Sequence, residues 1–257
     1  MRVLTCRRSS TLALFRVDDL LANLAPTRLK ASDWEQLEAQ SVRVGDEHSR
    51  IRRRQDGRII KIFPLRRDPI ARVRAQAERF VANAEVLTNL GFACPTMKEV
   101  LFIEEKFAAV IYDELEGESF RDLVARGAEG RAEGHDASDV EGHGDGLAEL
   151  DRLPAYFAEL HKAGVYFRGA HLGNLLRVSA TEIGLLDFSD VRFANGALGV
   201  WKRARNLAHL LGHRLDGKVV QKYGYRRFVD AYVEAAALSP FAARRLCWFL
   251  QRRIGSF

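Results

Sequence analysis

With 257 residues, 47% of them hydrophobic and 29% charged, the chain has enough apolar sequence to bury a sizeable core, which excludes a disordered tail or a fibrous repeat. Cys6, Cys94 and Cys247 stand far apart with no metal spacing and no even framework, so no disulfides are expected and a reducing compartment is predicted. The formal charge of +6 favours an anionic partner: a nucleotide, a phospholipid surface, a lipopolysaccharide precursor or nucleic acid.

The basic residues scatter through 50–61, 66–74, 202–205 and 244–253, without zinc-finger spacing, a basic zipper or a glycine-aromatic RNA-binding signature, so dedicated nucleic-acid binding is not expected. No apolar run approaches the ~20 residues of a membrane span, and the opening residues lack the apolar stretch of a secretory signal. A cytoplasmic protein is expected, either free or peripheral to the inner membrane.

The first elements are short and strand-like, at 41–44 and 49–54, and Gln55-Asp-Gly57 makes a hairpin turn into a strand over 58–63. This predicts a small antiparallel sheet. Beyond Pro64 and Pro69, the apolar spacing of Val73, Ala77, Phe80, Ala84 and Leu87 predicts a helix over 71–90, stopped by Gly91. Strands follow at 100–103 and 107–112, then a turn at Glu116-Gly117 and a helix over 119–125. Residues 127–146 hold glycines, acids and two histidines with almost nothing large and apolar, and read as a surface insertion. His135 and His143 with Asp136, Asp139, Glu141 and Asp145 invite a metal reading there, but nothing apolar holds such ligands in geometry. Helices over 147–162, 201–211, 221–237 and 241–254 complete a strand-rich first part (1–112) and a helix-rich second part (113–257), an α+β chain. The last helix, with Leu246, Phe249 and Leu250 beside Arg244, Arg245, Arg252 and Arg253, is basic and amphipathic; it suits an anionic membrane surface or a helix packed on the core with its arginines in water.

Asn174 and Asp187 are the most informative pair. The run Tyr166-Phe-Arg-Gly-Ala-His-Leu-Gly-Asn174 leads into a short strand, a turn at 179–182 and a second strand, Ile183-Gly-Leu-Leu, that ends on Asp187. Such a hairpin brings an amide oxygen and a carboxylate to one magnesium ion, because hard divalent cations prefer oxygen ligands; alternatively Asn174, after Gly173, is a turn residue. Lys61 shares a strand face with Ile59 and Phe63, which sets an ammonium among apolar neighbours, either facing an anion or on a solvated edge. Glu78 and Glu85 lie two turns apart on the following helix, and Glu78 is the better placed to reach back to Lys61.

These segments, together with Leu90-Gly-Phe-Ala-Cys-Pro95, Tyr112-Asp-Glu-Leu-Glu-Gly117, Leu160-His-Lys-Ala-Gly164, His171-Leu-Gly-Asn174 and Leu186-Asp-Phe188, resemble the two-lobed protein-kinase-like fold. Over about 41–211 the chain is similar to the bacterial lipopolysaccharide-kinase and aminoglycoside-phosphotransferase branch, including small proteins called toluene-tolerance proteins. The resemblance implies an ATP- and Mg2+-dependent enzyme acting on a small-molecule, sugar or lipid-linked hydroxyl, with Lys61 on the nucleotide phosphates, Glu78 orienting Lys61, Asn174 and Asp187 holding magnesium, and Tyr112 to Glu116, Glu114 among them, lining the adenine pocket. Two departures stand out: the aspartate that those families carry five residues before the asparagine is Gly169 here, and the loop between the first two strands holds a single glycine, Gly45. His171 is then a candidate base or a brace for its loop, and Arg168 a candidate phosphate clamp. Phosphoryl transfer relies mainly on positioning and electrostatics, so loss of one carboxylate need not abolish it. The alternative is a pseudokinase that retains the nucleotide pocket and lacks transfer.

Overall fold

The strand Phe107–Asp113 reads Phe-Ala-Ala-Val-Ile-Tyr-Asp, with no polar alternation, and the fold explains why: it is central in a sheet covered on both faces. The computed structural model describes residues 24–44, 50–65, 69–132 and 147–255. Cys6, Gly45, the 133–146 part of the expected insertion and its candidate ligands lie outside the described residues. The described chain is of mixed α+β class. Strands are β1 (Thr27–Leu29), β2 (Ser41–Val44), β3 (Ile51–Arg54), β4 (Ile59–Pro64), β5 (Thr96–Ile103) and β6 (Phe107–Asp113), ordered β1-β5-β6-β4-β3-β2 in one sheet.

One face of this sheet, with Ile59, Phe63, Val100, Val110 and Tyr112, packs on Val73, Ala77, Phe80 and Ala84 of the long helix α2 (Ile70–Asn89). The other face, with Ile60, Leu101, Ile103, Ala109 and Ile111, closes around Trp34 of α1 (Ala31–Ala39). Burial of each such large side chain is worth about 1.5–3 kcal/mol. Neither β1 nor α1 was expected from sequence, because a three-residue strand and a nine-residue helix anchored by one tryptophan carry almost no periodicity. The strands expected over 41–63 pair antiparallel, and the sheet departs from an all-antiparallel one at its edge, where β1 runs parallel to β5.

After β7 (Glu118–Ser119), helix α3 runs Phe120–Ala132, well past the predicted stop at 125 and into the stretch read as an insertion. A 3₁₀ turn at Ala148–Arg152 leads into α4 (Leu153–Lys162), with Pro154 in its first turn, where no backbone N–H is needed. Strands β8 (Val165–Phe167), β9 (Leu175–Arg177), β10 (Ile183–Leu185) and β11 (Val191–Phe193) form two small sheets, ordered β10-β9-β7 and β11-β8. Helices α5 (Val200–Leu211), α6 (Gly217–Tyr223), α7 (Tyr225–Ala235) and α8 (Pro240–Ile254) follow. The single helix expected over 221–237 is broken at Gly224, whose φ of 109° no helix accommodates. Cys94 and Cys247 are free thiols, and no helix of the described residues is long and apolar enough to cross a membrane.

The segment that carries the candidate site leaves β8, and β8 is held by a buried polar network. Asn206 of α5 donates Nδ2 to the Phe167 carbonyl at 2.5 Å and accepts the Phe167 N–H at 2.9 Å, replacing two ladder bonds with one side chain. His161 Nε2 lies 3.2 Å from Asn206 Oδ1, which is already an acceptor, so Nε2 carries the proton and Nδ1 accepts from Tyr232 Oη at 2.7 Å. Burial, aided by Arg203 and opposed by the Asn206 hydrogen bond, pulls the His161 imidazole down to about 3, so the ring is neutral in the folded protein. Asn206→Ala is expected to destabilise the chain by about 1–3 kcal/mol in urea denaturation, because the Phe167 N–H is left buried without a partner while its carbonyl keeps only the Ala170 N–H at 3.2 Å. Unfolded His161 takes up a proton that the folded core refuses, so folded-state stability falls as pH drops from about 6.5 towards 3; a non-titrating His161→Asn variant should show a shallower decline over that window.

Candidate functional site

The hairpin expected after Asn174 forms, with Leu175 opposite Leu185 and Arg177 opposite Ile183, and its turn closed by Val178 N–H to the Glu182 carbonyl at 3.0 Å. At its open end Leu186 N–H donates to the Asn174 carbonyl at 2.9 Å, which ties the segments bearing Asn174 and Asp187 side by side. Leu185 N–H reaches the Ala93 carbonyl at 2.9 Å, fixing the hairpin to the chain that leaves α2. Asp187 then turns into left-handed backbone, φ 45° and ψ 60°, a conformation that costs a non-glycine residue on the order of 1 kcal/mol or more. Its neighbours hold it there. Phe188 is fully buried and stacks on Phe80 at 4.3 Å, and Asn83 of α2 donates to the Phe188 carbonyl at 2.8 Å.

Lys61, on the face of β4 that meets α2, extends its ammonium to Asp187 Oδ1 in an ion pair. Its Nζ lies 4.8 Å from the centroid of Phe80 and 5.8 Å from that of Phe63, so the cation rests on aromatic faces. Burial pushes the Asp187 carboxyl up, but Lys61 and the Ser189 hydroxyl, which donates at 2.9 Å, outweigh it and hold the group below the usual carboxylate range. Among the described residues the carboxylate in contact with Lys61 is Asp187, not Glu78. Two residues turn a helix by about 200°, so Glu78 points away from the Phe80 face, whereas Gln76 and Arg79 line the cavity in front of Lys61. Glu85 does not contact the ammonium either. Tyr112 is buried 5.9 Å from Phe80, and burial first, then the charges of Asp187 and Glu114, raise its phenol above the ordinary range. Glu114 is held by Arg53, whose Nη2 donates to Oε1 at 2.7 Å.

The cavity has a volume of about 650 Å3 and is lined by Lys61, Asp187, Gly169 and Asp190 among others. Asn174 donates its Nδ2 to the Gly169 carbonyl at 3.0 Å, which leaves its amide oxygen to accept. A Cβ on Gly169 would lie 3.2 Å from the Asp187 carbonyl oxygen and 3.4 Å from Asn174 Nδ2, so the three residues converge and any larger residue at 169 crowds the loop. The donor set, one carboxylate and one amide oxygen, fits a hard divalent cation that takes its remaining oxygens from a phosphate ligand. Among the described residues no group of three His, Cys, Asp or Glu could hold a metal by itself.

His171 does not line the Lys61 cavity. Its ring stacks on His213 at 4.6 Å, and Arg121 Nη2 stands 3.4 Å from its Nδ1. Burial first, then His213 and Arg121, lower its pKa, so the imidazole is neutral and packed. The group that organises this corner is Asp216, 1% exposed. It accepts from Arg121 Nε at 2.8 Å and Nη2 at 3.1 Å and from Leu172 N–H at 2.9 Å. His213 Nδ1 lies 3.1 Å from Asp216 Oδ2 but off hydrogen-bond geometry. A Cβ on Gly173 would sit 2.7 Å from Arg121 Nη1, so glycine there lets the guanidinium lie flat on the loop. Asp216 sits between Leu215 and Gly217 in an ordinary turn and carries no signal in sequence; Asn83, a lone amide on an apolar helix face, carries one, though no role was expected of it from sequence. Arg168, the candidate clamp, lines a different cavity from that of Lys61.

Asp216→Asn weakens both guanidinium bonds and the Leu172 amide bond, and should lower stability by about 2 kcal/mol in urea denaturation while loosening the 171–174 loop in hydrogen exchange. Comparison of the sequence with protein-family models found no match, and comparison with curated proteins found no relative.

Proposed function

We propose that this chain is an ATP- and magnesium-dependent phosphotransferase of two-lobed protein-kinase-like fold, with a strand-rich lobe over 1–112 and a helix-rich lobe over 113–257, acting on a small-molecule, sugar or lipid-linked hydroxyl. The observation that carries the reading is the Lys61–Asp187 ion pair at the wall of one cavity, with Asn174 tied to the same hairpin end. Those groups come from β4 and from the two sides of the β9–β10 hairpin, distant in sequence and together in space.

In this reading Lys61 leaves Asp187 for the nucleotide phosphates, offsetting their charge, and the Asp187 carboxylate and the Asn174 amide oxygen turn to the cation. Magnesium, when bound, supplies charge neutralisation across the phosphates and orients the transferring group. Arg50 and Arg79, on the wall of the same cavity, add positive potential where negative charge develops. The acceptor oxygen forms its bond to the γ-phosphorus as the bond to the bridging oxygen breaks, and ADP leaves. The acceptor proton goes to Asp190, the further carboxylate lining the cavity, because Gly169 has no side chain and His171 is packed against His213 and Arg121.

A second reading, a nucleotide-binding module without transfer, is favoured by that same pair of facts about Gly169 and His171. Asp187→Ala should lower magnesium-dependent ATP turnover by about a hundredfold or more; turnover equal to wild type would reject the phosphotransferase reading. Stabilisation of the wild-type protein by ATP with magnesium, with no turnover on any hydroxyl acceptor, would instead establish the binding module.

A further inference from the structure

Arg168 and Gly169 are consecutive, yet they line two different cavities. The second cavity, about 410 Å3, is lined by Arg168, Arg192, Lys202 and Arg205, with Tyr166 and Trp201 among its other walls. Arg192 stands opposite Tyr166 across the β8–β11 pair, and Lys202 and Arg205 are three apart on one face of α5. None of the four cations takes part in an ion pair with a carboxylate among the described residues. Four like charges around one concavity repel each other and raise the local concentration of anions. The Tyr166 hydroxyl is buried without a hydrogen-bond partner, as is His209 Nε2, whose imidazole is held neutral by burial first and then by Arg205, Arg168 and Arg253.

We propose that this cavity binds the phosphate group of a small phosphorylated molecule, with the arginine forks on the phosphate oxygens. The volume falls in the range of small-ligand pockets and exceeds what one phosphate fills. Trp201, 46% exposed and braced by Phe249 at 4.6 Å and by Arg253 at 5.0 Å, offers a flat apolar face for the rest of the ligand, such as a sugar ring. Arg168 and Gly169 put the two cavities on one loop, which would let a molecule held here by its phosphate serve as the acceptor. That the bound molecule is the acceptor rests on the phosphotransferase reading; that the cavity holds a phosphate does not.

The test is titration of the protein with glucose 6-phosphate, and with glucose at matched ionic strength, following tryptophan fluorescence, with Trp201→Phe identifying the reporting residue. A saturable response to the phosphorylated sugar alone is expected, weakened about tenfold or more in Arg192→Ala/Lys202→Ala and unchanged in the charge-matched Arg244→Ala/Arg252→Ala. All four substituted side chains are exposed, so the variants retain the fold. No saturable response, an equal response to glucose, or an equal loss in both double variants would overturn the proposal. Binding that persists in a wild-type protein unable to turn over ATP would remove only the acceptor assignment; ATP turnover without sugar-phosphate binding would remove the phosphate site and leave the phosphotransferase reading standing.

Discussion

The ammonium of Lys61 against the carboxylate of Asp187 is the constraint on which the centre of the molecule is built. One group comes from the middle of a sheet and the other from the end of a hairpin made much later in the chain. The lysine is largely withdrawn from water, where a charge calls for a partner, while the Asp187 side chain stays half exposed. The pair is framed by apolar contacts that keep it in register: Phe80 under the ammonium, Phe188 stacked on Phe80, and Asn83 holding the backbone beyond the left-handed Asp187. Rotamer freedom at the site is therefore limited by the core itself.

Behind the pair, two buried polar arrangements hold the loop that faces it. Asn206 takes over the hydrogen bonds of Phe167, so the chain enters the loop from a fixed strand, and Asp216 gathers Arg121 and the Leu172 amide, so the chain leaves the loop against a fixed anchor. Between these anchors lie Arg168, Gly169 and His171. They face different ways, the Arg168 side chain to the cationic cavity, the Gly169 backbone to the wall of the Lys61 cavity, and the His171 ring to the stack with His213. A short loop with three addresses is how one segment serves two cavities.

Much of this was readable from the residues. The alternation Ile59, Lys61, Phe63 set the lysine on the inner face of its strand, the helical rhythm from Val73 to Leu87 gave α2 nearly to the residue, and the apolar run ending at Asp187 gave the hairpin. What escaped was non-local. Glu78 as the partner of Lys61 followed from sequence proximity, but the helix face that meets the sheet is the one bearing Gln76, Phe80 and Asn83. Trp34 covering the far face of the sheet, the parallel β1, and Asp216 reaching Arg121 across the loop depend on tertiary packing that leaves no periodic trace. Gly224 splitting a helix was visible as a glycine but not as a break, since a glycine within a helical pattern is often tolerated.

In the proposed phosphotransferase, Lys61, Asn174 and Asp187 form one cation- and phosphate-binding centre. Manganese(II), a spectroscopic substitute for magnesium, can be titrated by electron paramagnetic resonance in the presence and absence of a non-hydrolysable ATP analogue. Stoichiometric manganese binding that requires the nucleotide and is lost in Asn174→Ala is expected. Manganese binding that ignores the nucleotide, or that survives unchanged in that variant, would contradict it.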